Sequence, residues 1–255
     1  MPTESTHRSV ETVETAFDLV DALKERDSAG VSALADEVGL AKSTVHRHLT
    51  TLEKRGLLVR EGDEYRLSTW FLDYGIHARD RRPVVEVARP KVDEVAAETD
   101  EKVWFVLEEH GLGVHVYGAE GKHSVTTHAR IGRRTPLHQF AAGKAILAFL
   151  SEERVAEVLD RHGVAGQTAR TITDRDVLFD QLETVRERGY AFNREESVTG
   201  VHAVGAPIRE ADGTAVGAIS VAGPANRLRG EVLTDELPDL LLGAANEIEI
   251  NLAHS

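Results

Sequence analysis

The chain contains no cysteine. That excludes disulfides, thiolate nucleophiles and cysteine-ligated zinc. It also lacks any apolar run near the roughly 18 residues a membrane helix needs. The first residues, MPTESTHRSVE, are polar and carry no apolar signal core. A soluble, cytoplasmic protein without a membrane partner is expected. Lysine is scarce: 7 residues against 23 arginines, beside 43 Asp+Glu and a formal net charge of −13. This acid-rich, lysine-poor balance points to work in molar salt.

The acidity is not uniform. Between positions 41 and 60, Lys42, Arg47, Lys54, Arg55 and Arg60 face a single acid, Glu53. The local field decides what a surface attracts, whereas net charge governs solubility. This cationic stretch lies inside VSALADEVGLAKSTVHRHLTTLEKRGLLVREGDEYRL, residues 31–67. Leu34, Val38, Leu40, Val45, Leu49 and Leu52 fit two short helices sharing one core. Ser32 is the expected N-cap of the first. Gly39 stands where the turn needs a positive φ. The second helix starts near Ala41 and exposes Lys42, Ser43, Thr44, His46 and Arg47 at its N-terminal end, where a recognition helix contacts base edges. Residues 60–67 read as two strands around Gly62-Asp63, a wing offering Arg60 and Arg66 to phosphate or minor groove. A preceding helix is expected over 10–23, with Val13, Phe17, Val20 and Leu23 at helical spacing. Glycine at the turn, a polar helix start and a hairpin behind it predict double-stranded DNA as a partner. At molar salt, counterion release contributes little, because affinity falls with a slope of about −0.9 per phosphate contact. Base contacts then carry more of the binding.

Residues 68–82 form the expected linker: an amphipathic stretch with an exposed aromatic face, then a charged break at Asp80-Arg81-Arg82-Pro83. Such a linker helix offers a dimer contact, and dimers suit paired half-sites. Residues 83–255 alternate strand and helix. Helices are expected over 84–99, 136–150, 151–162, 174–188 and 233–252. Strands are expected over 102–108, 114–117, 124–129, 190–192, 201–208 and 215–221, the last two a hairpin over Ala211-Asp212-Gly213-Thr214. The expected class is α+β in two domains: winged helix-turn-helix over 1–67, linker over 68–82, and a mainly antiparallel sheet with helices on its faces over 83–255.

Three segments in order resemble the IclR family of transcriptional regulators over essentially the whole chain. They are VSALADEVGLAKSTVHRHLTTLEKRGLL, TPLHQFAAGKAILAFLS and GYAFNREESVTGVHAVGAPIREADGTAVGAISVAGPANRL. The resemblance implies a GAF-like effector-binding second domain, a dimer or tetramer, and repression or activation of operons. It also implies a pocket between sheet and helix. There the backbones of Ala141 and Ala142 meet a ligand, and Asn193, Ala203, Ser220 and Ala222 occupy the other positions. A helix start suits an anion. The family's carboxylate binders have an acid at position 193, cysteine at 203 and a second serine at 222. This chain keeps only the Ser220 hydroxyl. A sugar acid, a pentose derivative or an aromatic acid therefore stands level with a glyoxylate- or pyruvate-like ligand. A vestigial pocket, with regulation through a protein partner, is the alternative.

Other chemistry finds little support. Lys144 in AAGKA lacks the glycine five residues before Gly143 and the Ser/Thr after lysine that a phosphate loop needs. It reads as a structural lysine, capping or pairing near the effector helix. Histidines at 110, 115, 123, 128 and 138 have hairpin-like spacing and are candidates to converge on a metal. There is no HExxH, and surface histidines are the expectation, with His138 packing or hydrogen-bonding near the pocket. Glu152-Glu153 and Glu195-Glu196 are expected to face solvent. No nucleophile elbow is present. No enzyme activity, metal or cofactor is expected.

Overall fold

A computed structural model describes residues 9–124 and 129–254. The chain divides into two compact units, the first ending at Ala78 and the second beginning at Arg79.

The first unit holds α1 (Glu11–Arg26), β1 (Ala29–Gly30), α2 (Val31–Val38), α3 (Lys42–Lys54), β2 (Leu58–Glu61) and β3 (Glu64–Leu67). Helix α4 (Trp70–Asp80) follows and runs across the division. Leu19, Leu23, Leu34, Val45, Leu49, Leu58 and Tyr65 form the core. Each such side chain contributes about 1.5–3 kcal/mol on burial. Gly39 caps α2 at φ 68°, ψ 29°, and its N–H donates to the Ala35 carbonyl. Glycine reaches this left-handed geometry without a Cβ clash.

Two expectations are corrected here. Ser32 lies inside α2; the cap is Gly30, because β1 pairs with β3 and leads straight into the helix. Of the row Val13, Phe17, Val20 and Leu23 expected for α1, Val13 and Phe17 are exposed, at 52% and 61%, Val20 is half-buried and Leu23 is buried. The face that meets α2 and α3 is Leu19, Ala22 and Leu23. A helix with two apolar rows leaves that choice to its packing partners.

The second unit is an antiparallel sheet of six strands in the order β6-β5-β4-β9-β8-β7. The strands are β4 (Lys102–Glu109), β5 (Leu112–Glu120), β6 (Arg134–Pro136), β7 (Ala191–Arg194), β8 (Val201–Arg209) and β9 (Ala215–Pro224). Alternation along each strand feeds two cores. Val103, Phe105, Leu107, Val204, Ile219 and Val221 pack with α5 (Pro83–Thr99) and α9 (Leu237–Ala253). Trp104, Val106 and Ala218 point the other way, toward α6 (Ala141–Ala148), α7 (Glu152–His162) and α8 (Arg175–Arg188). Every residue of α6 is buried. Its close seat on β8 depends on Gly205, where a Cβ would come within 2.7 Å of the Ala141 carbonyl carbon.

The helix expected over 136–150 is broken. Pro136 ends β6, Leu137–Gln139 make one 3-10 turn, and Phe140 is extended at φ −146°, ψ 161° before α6 begins. The break starts α6 afresh beneath the sheet. The closing helix opens with a π turn, Val232–Glu236, before Pro238, which has no N–H to donate. The strand expected over 124–129 falls on residues that include 125–128, outside the described ones.

Candidate DNA-reading helix and ligand cavity

Helix α3 buries Val45 and Leu49 and turns its other side outward. Lys42, Ser43, His46 and Arg47 are exposed, and Thr44 is half-buried. The N-cap Ala41 offers no side-chain cap, so the first-turn N–H groups have no side-chain acceptor. Among the described residues, Lys42 and Arg47 enter no ion pair. The surface is cationic and uncommitted. The wing differs. Arg66 Nε donates to Glu61 Oε1 at 2.7 Å. Arg60 Nε donates to the Gly62 carbonyl at 2.9 Å, and its guanidinium lies 3.7 Å from Asp63. Both wing arginines are held internally, beside three acids. The five α3 residues share one helix; Arg60 and Arg66 are engaged elsewhere.

In the second unit a cavity of about 330 Å³ opens on the sheet face that carries α6. Register explains its floor. Trp104 pairs with Ser220, Gly205 with Ser220, and Ala203 with Ala222, so these residues share one face. Ala141 brings the start of α6 to the wall, with no side chain capping it. Trp104, His115 and Phe140 form an aromatic side: His115 meets Trp104 edge-on at 5.0 Å and stacks on Phe140 at 5.5 Å. Burial lowers the His115 pKa to about 4, so its ring is neutral near pH 7. Its Nδ1–H donates to the Arg133 carbonyl at 3.3 Å. Arg133, Thr135, Gln139, Thr168 and Ser197 add polar wall.

Two loops close the cavity, and they are tied together. Thr168 Oγ1 donates to the Glu195 carbonyl at 2.8 Å, and Thr171 Oγ1 to the Glu196 carbonyl at 2.6 Å. Lys144 Nζ, fully buried in α6, pairs with Glu196. Burial pulls the Lys144 pKa below the ordinary lysine range, against the opposing pull of Glu196. Pairing near the effector helix was the expectation for this lysine. Glu196, expected in solvent, is buried, with Lys144 as its partner.

Models of two families match: the IclR helix-turn-helix domain over residues 12–62 and the bacterial transcriptional regulator IclR C-terminal domain over residues 76–250. The chain belongs to the IclR family. It is 36% identical over 250 residues to the probable HTH-type transcriptional regulator ArcR of Halobacterium salinarum, covering 96% of this chain and 95% of that one. It is 31% identical to the transcriptional repressor IclR of Escherichia coli, over 88% of this chain and 82% of that protein. The crystal structure of the Thermotoga maritima IclR superposes with a TM-score of 0.77 at 30% identity, covering 94% and 98% of the two chains. The first two relatives are named as transcriptional regulators.

Within this IclR-family architecture, Ala141, Ala203, Ser220 and Ala222 line the cavity. Ala142 and Asn193 do not. Ala142 is packed behind Ala141 against Gly205. Asn193 is a brace: its Nδ2 donates to the Gln139 carbonyl at 2.8 Å, and its Oδ1 accepts from the Glu196 N–H at 3.1 Å. The asparagine therefore holds two walls together from outside. Sequence reading missed the aromatic side and the Thr168–Thr171 clasp, which no local motif announces. It also placed His115 at the surface, whereas that ring is buried. His138, expected to pack or hydrogen-bond near the pocket, is buried and its Nε2–H donates to the Ala165 carbonyl at 3.0 Å. His128 lies outside the described residues. Among the described residues no cluster of potential ligands could hold a metal ion, and no helix is long and apolar enough to cross a membrane.

Proposed function

We propose that this IclR-family regulator reads operator half-sites through Lys42, Ser43, Thr44, His46 and Arg47, and that a small organic acid in the cavity modulates that binding. The observation that carries the ligand reading is the uncapped start of α6 at Ala141, facing a wall of Trp104, neutral His115 and Phe140. Backbone N–H groups and the helix dipole favour a carboxylate. The aromatic side favours a flat or apolar body, and Ala203 and Ala222 withhold the polar contacts that a very small oxoacid needs. Arg60 and Arg66 reach phosphate only by giving up their present acids. The alternative, a DNA-binding regulator with a vestigial pocket acting through a protein partner, leaves a cavity of about 330 Å³ without a use.

The working unit is a dimer or tetramer. Helix α4 buries none of its residues and exposes Trp70, Leu72, Tyr74 and Ile76, a surface suited to a second copy. The acid-rich, lysine-poor composition supports function at molar salt.

Ligand must bind two arrangements of the regulator unequally to alter its grip on DNA. The test is a thermal-shift screen of aromatic, sugar and short-chain acids, followed by operator binding with each hit. A stabilising acid that changes operator affinity supports the reading. Stabilising acids that leave operator affinity untouched, or none across the panel, overturn it.

A further inference from the structure

A second cavity, also about 330 Å³, shares no lining residue with the first. Its walls are the side of α8 that carries Gln181 and Arg188, together with Phe192, Arg194 and Glu196. The guanidinium carbons of Arg188 and Arg194 lie 4.5 and 4.6 Å from the centre of the same Phe192 ring. Among the described residues neither arginine is in an ion pair. Arg188 spends its Nε–H on the Tyr190 carbonyl at 2.6 Å, which leaves both terminal nitrogens of its fork.

The charges here do not balance. Arg194 acts repulsively on Arg188, and both act repulsively on Lys144. Glu196 is committed to Lys144. The other acid of the cavity, Asp180, stands at the exposed rim. The Gln181 side-chain oxygen is buried without a hydrogen-bond partner among the described residues. Arg188 is half-buried and Arg194 exposed, and two guanidiniums gathered on one ring are unfavourable without a counter-anion. In a chain of net charge −13 carboxylates are abundant, yet among the described residues none pairs with either arginine.

We propose that this cavity is a second ligand site, taking a small phosphate-bearing anion between Arg188 and Arg194. The planar guanidinium fork matches phosphate oxygens two at a time. The site also adjoins the first cavity through one loop: Glu196 faces the second, and Ser197 to Thr199 line the first. The binding itself does not depend on what the first cavity holds.

The test uses the full chain at ionic strength fixed with potassium chloride. Inorganic phosphate and glycerol phosphate are titrated separately, and the unfolding midpoint is followed. The expected result is a midpoint that rises and saturates. Arg188→Gln and Arg194→Gln each weaken the apparent affinity about tenfold or more, while Arg161→Gln, an exposed arginine of α7, changes nothing. A stronger response to the ester names a phosphorylated metabolite; an equal or weaker one names the free ion. No saturable response to either probe, or a response that survives both cavity substitutions, overturns the proposal.

Discussion

Lys144 and Glu196 are 52 residues apart in sequence and share one buried ion pair. The lysine sits in the helix that starts at the ligand cavity, and the glutamate in the loop that closes it. Removing one partner strands a buried charge. Glu196→Gln is expected to destabilise the second unit by about 3–5 kcal/mol. Lys144→Met combined with Glu196→Gln is expected to cost less than Glu196→Gln alone. Urea unfolding of both variants checks the order; a double variant weaker than the single one contradicts it.

Asn193 separates bracing from contact. Asn193→Ala leaves the Gln139 carbonyl and the Glu196 N–H without their partner, each a loss of about 1–3 kcal/mol. The expected outcome is lower stability and weaker ligand binding, although the residue touches no cavity surface. Ligand affinity that falls in step with stability supports the brace; Asn193→Asp keeps the acceptor for the Glu196 N–H but has no N–H for the Gln139 carbonyl, so it should not restore either.

His115 gives the second unit a pH dependence. Its folded pKa is about 4, against 6.5 for an ordinary histidine, because burial disfavours the charged ring. The unfolded chain therefore binds the proton first as pH falls. The stability contribution is complete above 6.5 and is lost as pH drops toward 4, on the order of 3 kcal/mol in all. Unfolding free energies measured across that window should fall with acidification, and His115→Phe should flatten the slope.

The helix and the wing should respond differently in operator binding. Arg47→Ala is expected to cost about 1–3 kcal/mol of operator affinity, the value of a side chain that reads a base. Arg66→Ala should cost less, since Glu61 already holds that guanidinium. Fluorescence anisotropy with operator and scrambled duplex gives both numbers. Equal losses on the two duplexes for Arg47→Ala would place it on phosphate instead.

Helix α4 is the test of assembly. Leu72 is 64% exposed. Leu72→Glu puts a charge into the surface assigned to a second copy, so light scattering should show a smaller species. An unchanged mass moves the interface elsewhere.

The helix-turn-helix was legible because its signals are local. Gly39, the Val45–Leu49 spacing and the polar start of α3 lie within a few residues of one another, and backbone sterics act over that range. The sheet face of the cavity was legible for a related reason. Strand alternation puts Ser220 and Ala222 on one side whatever they face. Other features were opaque. The fresh start of α6 at Ala141 comes from Phe140 turning extended. In α1 helical spacing joins Val13, Phe17, Val20 and Leu23, and only contact with α2 and α3 shows that Leu23 is buried beside Leu19 while Val13 and Phe17 stay exposed. The second cavity has no linear motif at all, since Arg188 and Arg194 meet over Phe192 after the chain has turned at Gly189.

The order of residues alone decided where chain direction and periodicity act: the glycine turn at 39, the cationic helix start, the alternating strands and the absence of thiol chemistry. Tertiary structure decided which charges are spent and which are left open. Glu61 quenches Arg66, Glu196 is drawn inside by Lys144, and Arg188 and Arg194 are left on one ring. Such pairing depends on distances between residues far apart in the chain, and those distances exist only once the sheet and helices have closed on their cores.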